Sequence, residues 1–278
     1  MYSLLLSLFV AAAAGVALAR SGAASVLWAS LWGVLAFLLS MVFVSWIVRR
    51  KVGRAMSAMQ GEMEAGRKRL QSQVAEFQRH PKGDPRAFLA TLQKKQDALV
   101  RDALARVDAL APFRPWIPLF GRQLNASRAQ LLWQLKKFDE VDALLPKSLI
   151  LDPFTAQMKM ARQFMKKEPL EAIEKTWRKA RARLRYNQSA TLAATMAWIY
   201  VKRGKVDEAY KLLEGACRDN NTDAEPGATL RRNRDALANN RLKQFSNAGL
   251  GDMWYALFLE EPRVRYERRE PTRFGKFG

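Results

Sequence analysis

Two uncharged apolar runs occupy most of the first 48 residues, and they restrict the fold more than anything downstream. Residues 1 to 19, MYSLLLSLFVAAAAGVALA, and residues 23 to 48, AASVLWASLWGVLAFLLSMVFVSWIV, contain no charged side chain. Each is long enough to cross a hydrocarbon layer of roughly 30 Å as a helix. The second would reach roughly 39 Å at 1.5 Å per residue, so part of it tilts or lies in the interface, where Trp28, Trp32 and Trp46 are suited. Only Arg20, Ser21 and Gly22 separate the runs, which requires a tight antiparallel hairpin. Ala11 and Gly15, with Ala29 and Gly33 opposite, are small residues four apart that let two backbones approach. The competing reading is a cleaved secretory signal ending at Ala17-Leu18-Ala19. The first residues carry no positive charge, which argues against it. Arg49, Arg50, Lys51 and Arg54 come directly after the second run, while the opposite side offers only Arg20. The positive-inside rule then puts the rest of the chain in the cytoplasm. The same four cations are expected to meet anionic lipid headgroups, at about 1 kcal/mol per nearby charge.

The remainder is long enough to bury a core of its own. Lys and Arg number 47 against 26 Asp and Glu, a formal charge of +21 over the 278 residues. That excess favours anionic partners: lipid, nucleic acid or an acidic protein. One cysteine, Cys217, and one histidine, His80, supply almost nothing for disulfide frameworks, zinc sites or histidine-based triads. No metal or cofactor is expected, and the chain is read as a binding protein rather than an enzyme. Gly249-Leu250-Gly251-Asp252 is the one glycine-rich cluster of note. It lacks the lysine and serine of a phosphate loop and reads as a helix stop with an Asp N-cap after it.

Helical periodicity organises the rest. Met56, Met59, Met63, Leu70, Val74 and Phe77 mark a helix leaving the membrane. Pro81 and Pro85 end it, and Asp84 before Pro85 is a good N-cap and first-turn pair for the next helix, which carries Leu89, Leu92, Leu99, Val107 and Leu110. Residues 112 to 121, PFRPWIPLFG, hold three prolines and mark a boundary, although Phe113, Trp116 and Ile117 are apolar enough to dock on the next helix. The expected organisation is a membrane hairpin over 1–50, juxtamembrane helices and hinge over 51–121, a helical-repeat domain over 122–260, and a basic tail over 261–278.

Within the third segment, residues 198 to 216 read WIYVKRGKVDEAYKLLEGA. Ala193, Met196, Ala197 and Tyr200 precede a turn at Gly204, and Ala209 and Leu213 come after it. Small residues suit the crossing of two helices, and Gly204 suits the end of the first. This spacing resembles a tetratricopeptide unit, a 34-residue pair of helices with a small-and-aromatic signature. A second partial match stands 68 residues earlier, at Ala129, Leu132, Val141 and Leu145. Pro146 should bend its second helix. Two further turns, near Pro169 to Ile173 and Asn240 to Phe245, complete a series in which Val141, Ala172, Ala209 and Phe245 are equivalent, at spacings of 31, 37 and 36 residues. A non-repetitive bundle with one fortuitous match is the alternative. The expected fold is therefore all-α: a transmembrane helical hairpin and then a tetratricopeptide-like α-solenoid of degenerate helix pairs. Two spans before cytoplasmic helical repeats are similar in layout to the HemY-type inner-membrane proteins of bacteria, a likeness of architecture that carries no role with it.

Tetratricopeptide arrays bind through a groove lined by the first helix of each pair. Transferred to this chain, that resemblance selects Gln130, Trp133 and Gln134 in one unit and Thr191, Trp198 and Lys202 in the other, with core positions the competing assignment for both tryptophans. The expected function is a membrane-anchored scaffold holding a protein partner. The alternative is RNA or ribosome binding through a basic surface, for which the helix bearing Arg178, Lys179, Arg181 and Arg185 is the candidate.

Overall fold

The computed structural model describes residues 2–20, 26–80, 84–184, 186–220 and 222–261. Among these residues all regular structure is helical. The chain divides into two compact units between Leu151 and Asp152.

In the first unit, helix α1 (Tyr2–Arg20) packs along α2 (Val26–Arg79). The two helices lie close at Gly33, where an added Cβ would meet the Ala11 carbonyl oxygen at 3.6 Å, an ordinary contact distance. Their other faces stay uncovered: Phe9, Val42 and Phe43 are each more than half exposed. Among the described residues one helix, α2, is long and apolar enough to cross a membrane, with a mean hydropathy of 2.3 in its best window. α2 continues past its basic cluster without a break for 54 residues, about 81 Å. A sharp fall in hydrophobicity does not end a helix where no proline or capping residue interrupts it.

The chain returns through α3 (Pro85–Asp108), antiparallel to the far half of α2. The Asp84 carboxylate accepts from the Arg86 N–H at 3.0 Å, with Pro85 in the first turn, the cap expected from the sequence. Phe77 stacks on Phe88 at 4.0 Å, and Glu62 pairs with Arg106 at 2.6 Å. A core forms from Val48, Val52 and Met59 of α2, Val100, Ala103 and Val107 of α3, and Phe120, Leu124 and Leu131 of α4 (Phe120–Gln134). Phe113, Trp116 and Ile117 of the proline-rich stretch pack against it. That packing explains why α4 and α5 (Phe138–Leu144) group with α2 and α3, so that the division falls about thirty residues beyond the prolines. Pro146 ends α5 rather than bending it, within a 3-10 turn, Leu145–Lys147.

The second unit holds α6 (Pro153–Met165), α7 (Leu170–Arg181), α8 (Tyr186–Lys202), α9 (Val206–Asp219), α10 (Gly227–Ala238) and the short α11 (Met253–Ala256). Met158, Ile173, Leu192, Met196, Ile199, Leu213 and Leu230 are fully buried there. The signature residues Ala193, Ala197, Tyr200 and Ala209 are buried with them.

Five helix ends among the described residues share one geometry: four stand where the sequence places inter-helix turns, and the fifth, at Phe258 (φ 53°, the Leu259 N–H donating to the Trp254 carbonyl at 2.9 Å), closes the short α11 outside that register. Lys136, Lys167, Gly204 and Asn240 all have positive φ, between 53 and 75°. In each turn the next N–H donates to a carbonyl five residues back: Lys137 to Leu132 at 3.0 Å, Glu168 to Gln163 at 3.0 Å, Lys205 to Tyr200 at 2.9 Å, and Arg241 to Ala236 at 2.7 Å. This left-handed termination satisfies the last carbonyls of the helix and turns the chain back. The four sit five residues before Val141, Ala172, Ala209 and Phe245, in the register expected from the sequence. The fourth turn leads only to a 3-10 turn, Leu242–Gln244, rather than a full helix.

Candidate partner-binding site

The six groove positions separate into two environments. On α4, Trp133 is 1% exposed, its ring 5.2 Å from Phe138, and belongs to the core. Gln130 and Gln134 lie on a neighbouring face and, with Ser127, line one wall of a pocket of 390 Å³. The other wall is α2, which contributes Met56, Met59 and Met63 together with the polar Gln60, Glu64 and Arg67. Those methionines recur at helical spacing, so they stand on one face. Thioether side chains are unbranched and polarisable, which suits them to apolar surfaces of varying shape.

The positions on α8 are not an open groove. Trp198 is 2% exposed, its ring 5.2 Å from Phe164 and 6.1 Å from Trp254. Its indole Nε1 donates to Glu260 Oε1 at 2.7 Å. Lys202 lies 5.2 Å over the Trp198 ring and 3.8 Å from the same carboxylate. Thr191 is half-buried, and its carbonyl accepts from the Thr195 hydroxyl at 3.0 Å. Gln157 of α6 donates to Thr195 Oγ1 at 3.0 Å and to Met253 Sδ at 3.2 Å. The chain's own segment from Met253 to Glu260 therefore covers these helices. Helical spacing identifies a face but not what lies against it, and the apolar run Met253-Trp254-Tyr255-Ala256-Leu257-Phe258 was the signal for this cover. Asp252 does not cap α11: it has φ 49° and its side chain makes no cap hydrogen bond.

Arg49, Arg50, Lys51 and Arg54 are all exposed, and none forms an ion pair among the described residues. The basic face of α7 differs. Arg178 pairs with Glu174 at 2.7 Å and Arg181 with Asp219 at 2.8 Å, both arginines remaining exposed, and Lys179 is exposed beside them. Arg185 lies outside the described residues.

Potential reactive groups are shielded. Cys217 is buried, and burial raises its thiol pKa, so the nucleophilic thiolate is disfavoured. Burial, then the hydrogen bond to Glu174 at 3.0 Å, raises the Tyr200 pKa as well. Among the described residues no three of His, Cys, Asp and Glu gather as metal ligands would. No family model, curated protein or solved structure matches the chain.

Proposed function

We propose that this chain is a membrane-anchored scaffold of tetratricopeptide-like helix pairs, holding a protein partner at the cytoplasmic face of a bacterial inner membrane. The observation that carries this reading is the repetition of one turn geometry at Lys136, Lys167, Gly204 and Asn240, behind an apolar helix that runs unbroken into a folded core. Pairs of helices joined by such turns are binding surfaces in repeat proteins, where rigid faces are reused for different partners. α1 and α2 supply the hairpin anchor, and the uncompensated cations from Arg49 to Arg54 set its orientation. The partner contacts the methionine-lined pocket beside Gln130 and Gln134: apolar side chains seat against Met56, Met59 and Met63, and the two amides bond the partner's backbone.

A protein partner is favoured over nucleic acid because Arg178 and Arg181 are held by carboxylates of the same chain, so fewer cations on α7 remain for phosphate. The test is a photo-crosslinking amino acid at Gln134 or at Thr191 in whole membranes. The Gln134 position should give a discrete protein adduct that Met56→Gln, at a partly buried lining position, weakens, while the Thr191 position gives none. Adducts only at Thr191, or RNA as the species crosslinked at Lys179, would transfer the function elsewhere.

A further inference from the structure

We propose that α2 carries a discrete site for one anionic phospholipid, distinct from general attraction between a basic segment and a charged membrane. It rests on the reading of α1 and α2 as a membrane anchor. An open-sided cavity of 600 Å³ is lined, among the described residues, by Leu38, Met41, Val42, Ser45, Trp46, Arg49 and Arg50 of this one helix. The lining positions keep a three-and-four spacing, so they form one stripe along one face of the helix.

The length of the stripe matches one leaflet. From Leu38 to Arg50 the helix rises about 18 Å, against roughly 15 Å for half of a hydrocarbon core. With Arg49 and Arg50 at headgroup depth, Leu38 reaches the region of the bilayer midplane. The apolar part is open to an acyl chain: Leu38 is 52% and Val42 67% exposed. The polar end is organised as well. The Arg50 guanidinium lies 5.1 Å over the Trp46 ring, and Trp46 in turn stacks on Phe43, which restrains the cation at the mouth of the cavity. Neither arginine has a carboxylate partner among the described residues, and Glu62 and Glu64, the first acidic residues of the chain, are paired with Arg106 and Lys68. Two uncompensated guanidinium groups above a leaflet-long apolar stripe complement a phosphodiester with a net negative charge and its attached chain. Lys51 and Arg54 belong to the same basic cluster but do not line the cavity.

That division supplies the test. Full-length protein in a neutral detergent is titrated with phosphatidylglycerol or with phosphatidylcholine of identical acyl chains, and retained lipid is counted by native mass spectrometry. One phosphatidylglycerol should be retained in preference to phosphatidylcholine. Arg49→Gln with Arg50→Gln should weaken that retention roughly thirty-fold, the factor expected of two headgroup contacts. Lys51→Gln with Arg54→Gln should change it by less than about three-fold, because neither residue lines the cavity. Val42→Trp, which fills the stripe and keeps every cation, should also weaken it, and free glycerophosphoglycerol should not compete. Equal losses from the two charge pairs, no loss from Val42→Trp, or full competition by the free headgroup would each overturn the discrete site. Alkaline extraction of membranes carrying the same protein separates the two readings. Protein that is released overturns the anchor and the lipid site together, whereas protein that stays embedded but does not select among lipids overturns the lipid site alone.

Discussion

Trp198→Ala measures whether the C-terminal segment is a structural cover or a loose neighbour. The indole is 2% exposed, packed between Phe164 and Trp254, and donates to Glu260. Cutting a buried tryptophan to alanine costs about 3–5 kcal/mol, a large share of the roughly 5–15 kcal/mol available to a typical domain. Trp198→Phe keeps a phenyl ring in the site but loses the rest of the indole with its N–H donor. Glu260 retains Lys202 and some solvent, so the lost bond and the lost ring atoms together should cost about 1–2 kcal/mol. The assay is pulse proteolysis of the full-length protein in detergent across a urea series, tracking trypsin cleavage after the many basic residues of the second unit. The expected order of midpoints is wild type, then Trp198→Phe, then Trp198→Ala far below. Glu260→Ala combined with Trp198→Phe should cost less than the sum of the two single changes, because both remove the same bond. A Trp198→Ala midpoint within about 1 kcal/mol of wild type would refute the argument. The ring would then line an open surface, and the assignment of this face to the core would fail with it.

The turn geometry, the buried tyrosine and the basic cluster each set a further expectation. Lys167 holds a left-handed backbone at φ 57° where Gly204 is free of a side chain; Lys167→Gly should stabilise the fold by about 0.5–1 kcal/mol and Gly204→Val should destabilise it, and the opposite order in urea midpoints would contradict the shared turn. Burial and Glu174 raise the Tyr200 pKa above its ordinary value, so its contribution to stability is complete below a pH of about 10 and is lost as pH rises toward the raised value; wild type should lose stability through that alkaline window more steeply than Tyr200→Phe, and parallel curves would dismiss the effect. A cytoplasm-active reporter fused after Gly278 should work while an export-dependent one stays silent, the reverse result exchanging the two sides of the membrane.

What could be read from the sequence was local. The cap at Asp84, the turn at Gly204 and its partner near Asn240 are short-range conformations with a composition of their own, and the structure has them where the spacing put them. The Lys136 and Lys167 turns were legible only through their register, since lysine gives no hint of a positive φ. The continuity of α2 was not legible, because hydropathy changes abruptly at Arg49 while nothing there, neither proline nor a cap, stops the helix. The pocket beside Gln134 depends on methionines some seventy residues earlier, which periodicity assigned to a stripe without naming what it faces. Trp198 shows the same limit from the other side: a correct helix face was paired with the wrong neighbour, open solvent, when Trp254 and Glu260 occupy it.

The unbroken course of α2 has a mechanical consequence. No proline lies between Val26 and Arg79, so the element has no built-in swivel, and any rotation of its apolar half about the long axis reaches Met59 and the core with its angle preserved. The core of the first unit is thus geared to the apolar half rather than tethered to it. One residue inserted near Ala55 would advance everything beyond it by only about 1.5 Å but turn it through about 100°, carrying Met59 and Met63 away from the side that Val48 and Val52 share with them. Seven inserted residues would lift the core by about 10 Å and return the angle to within about 20° of its starting value. Tolerance to length change along this shaft should accordingly rise and fall with the helical period.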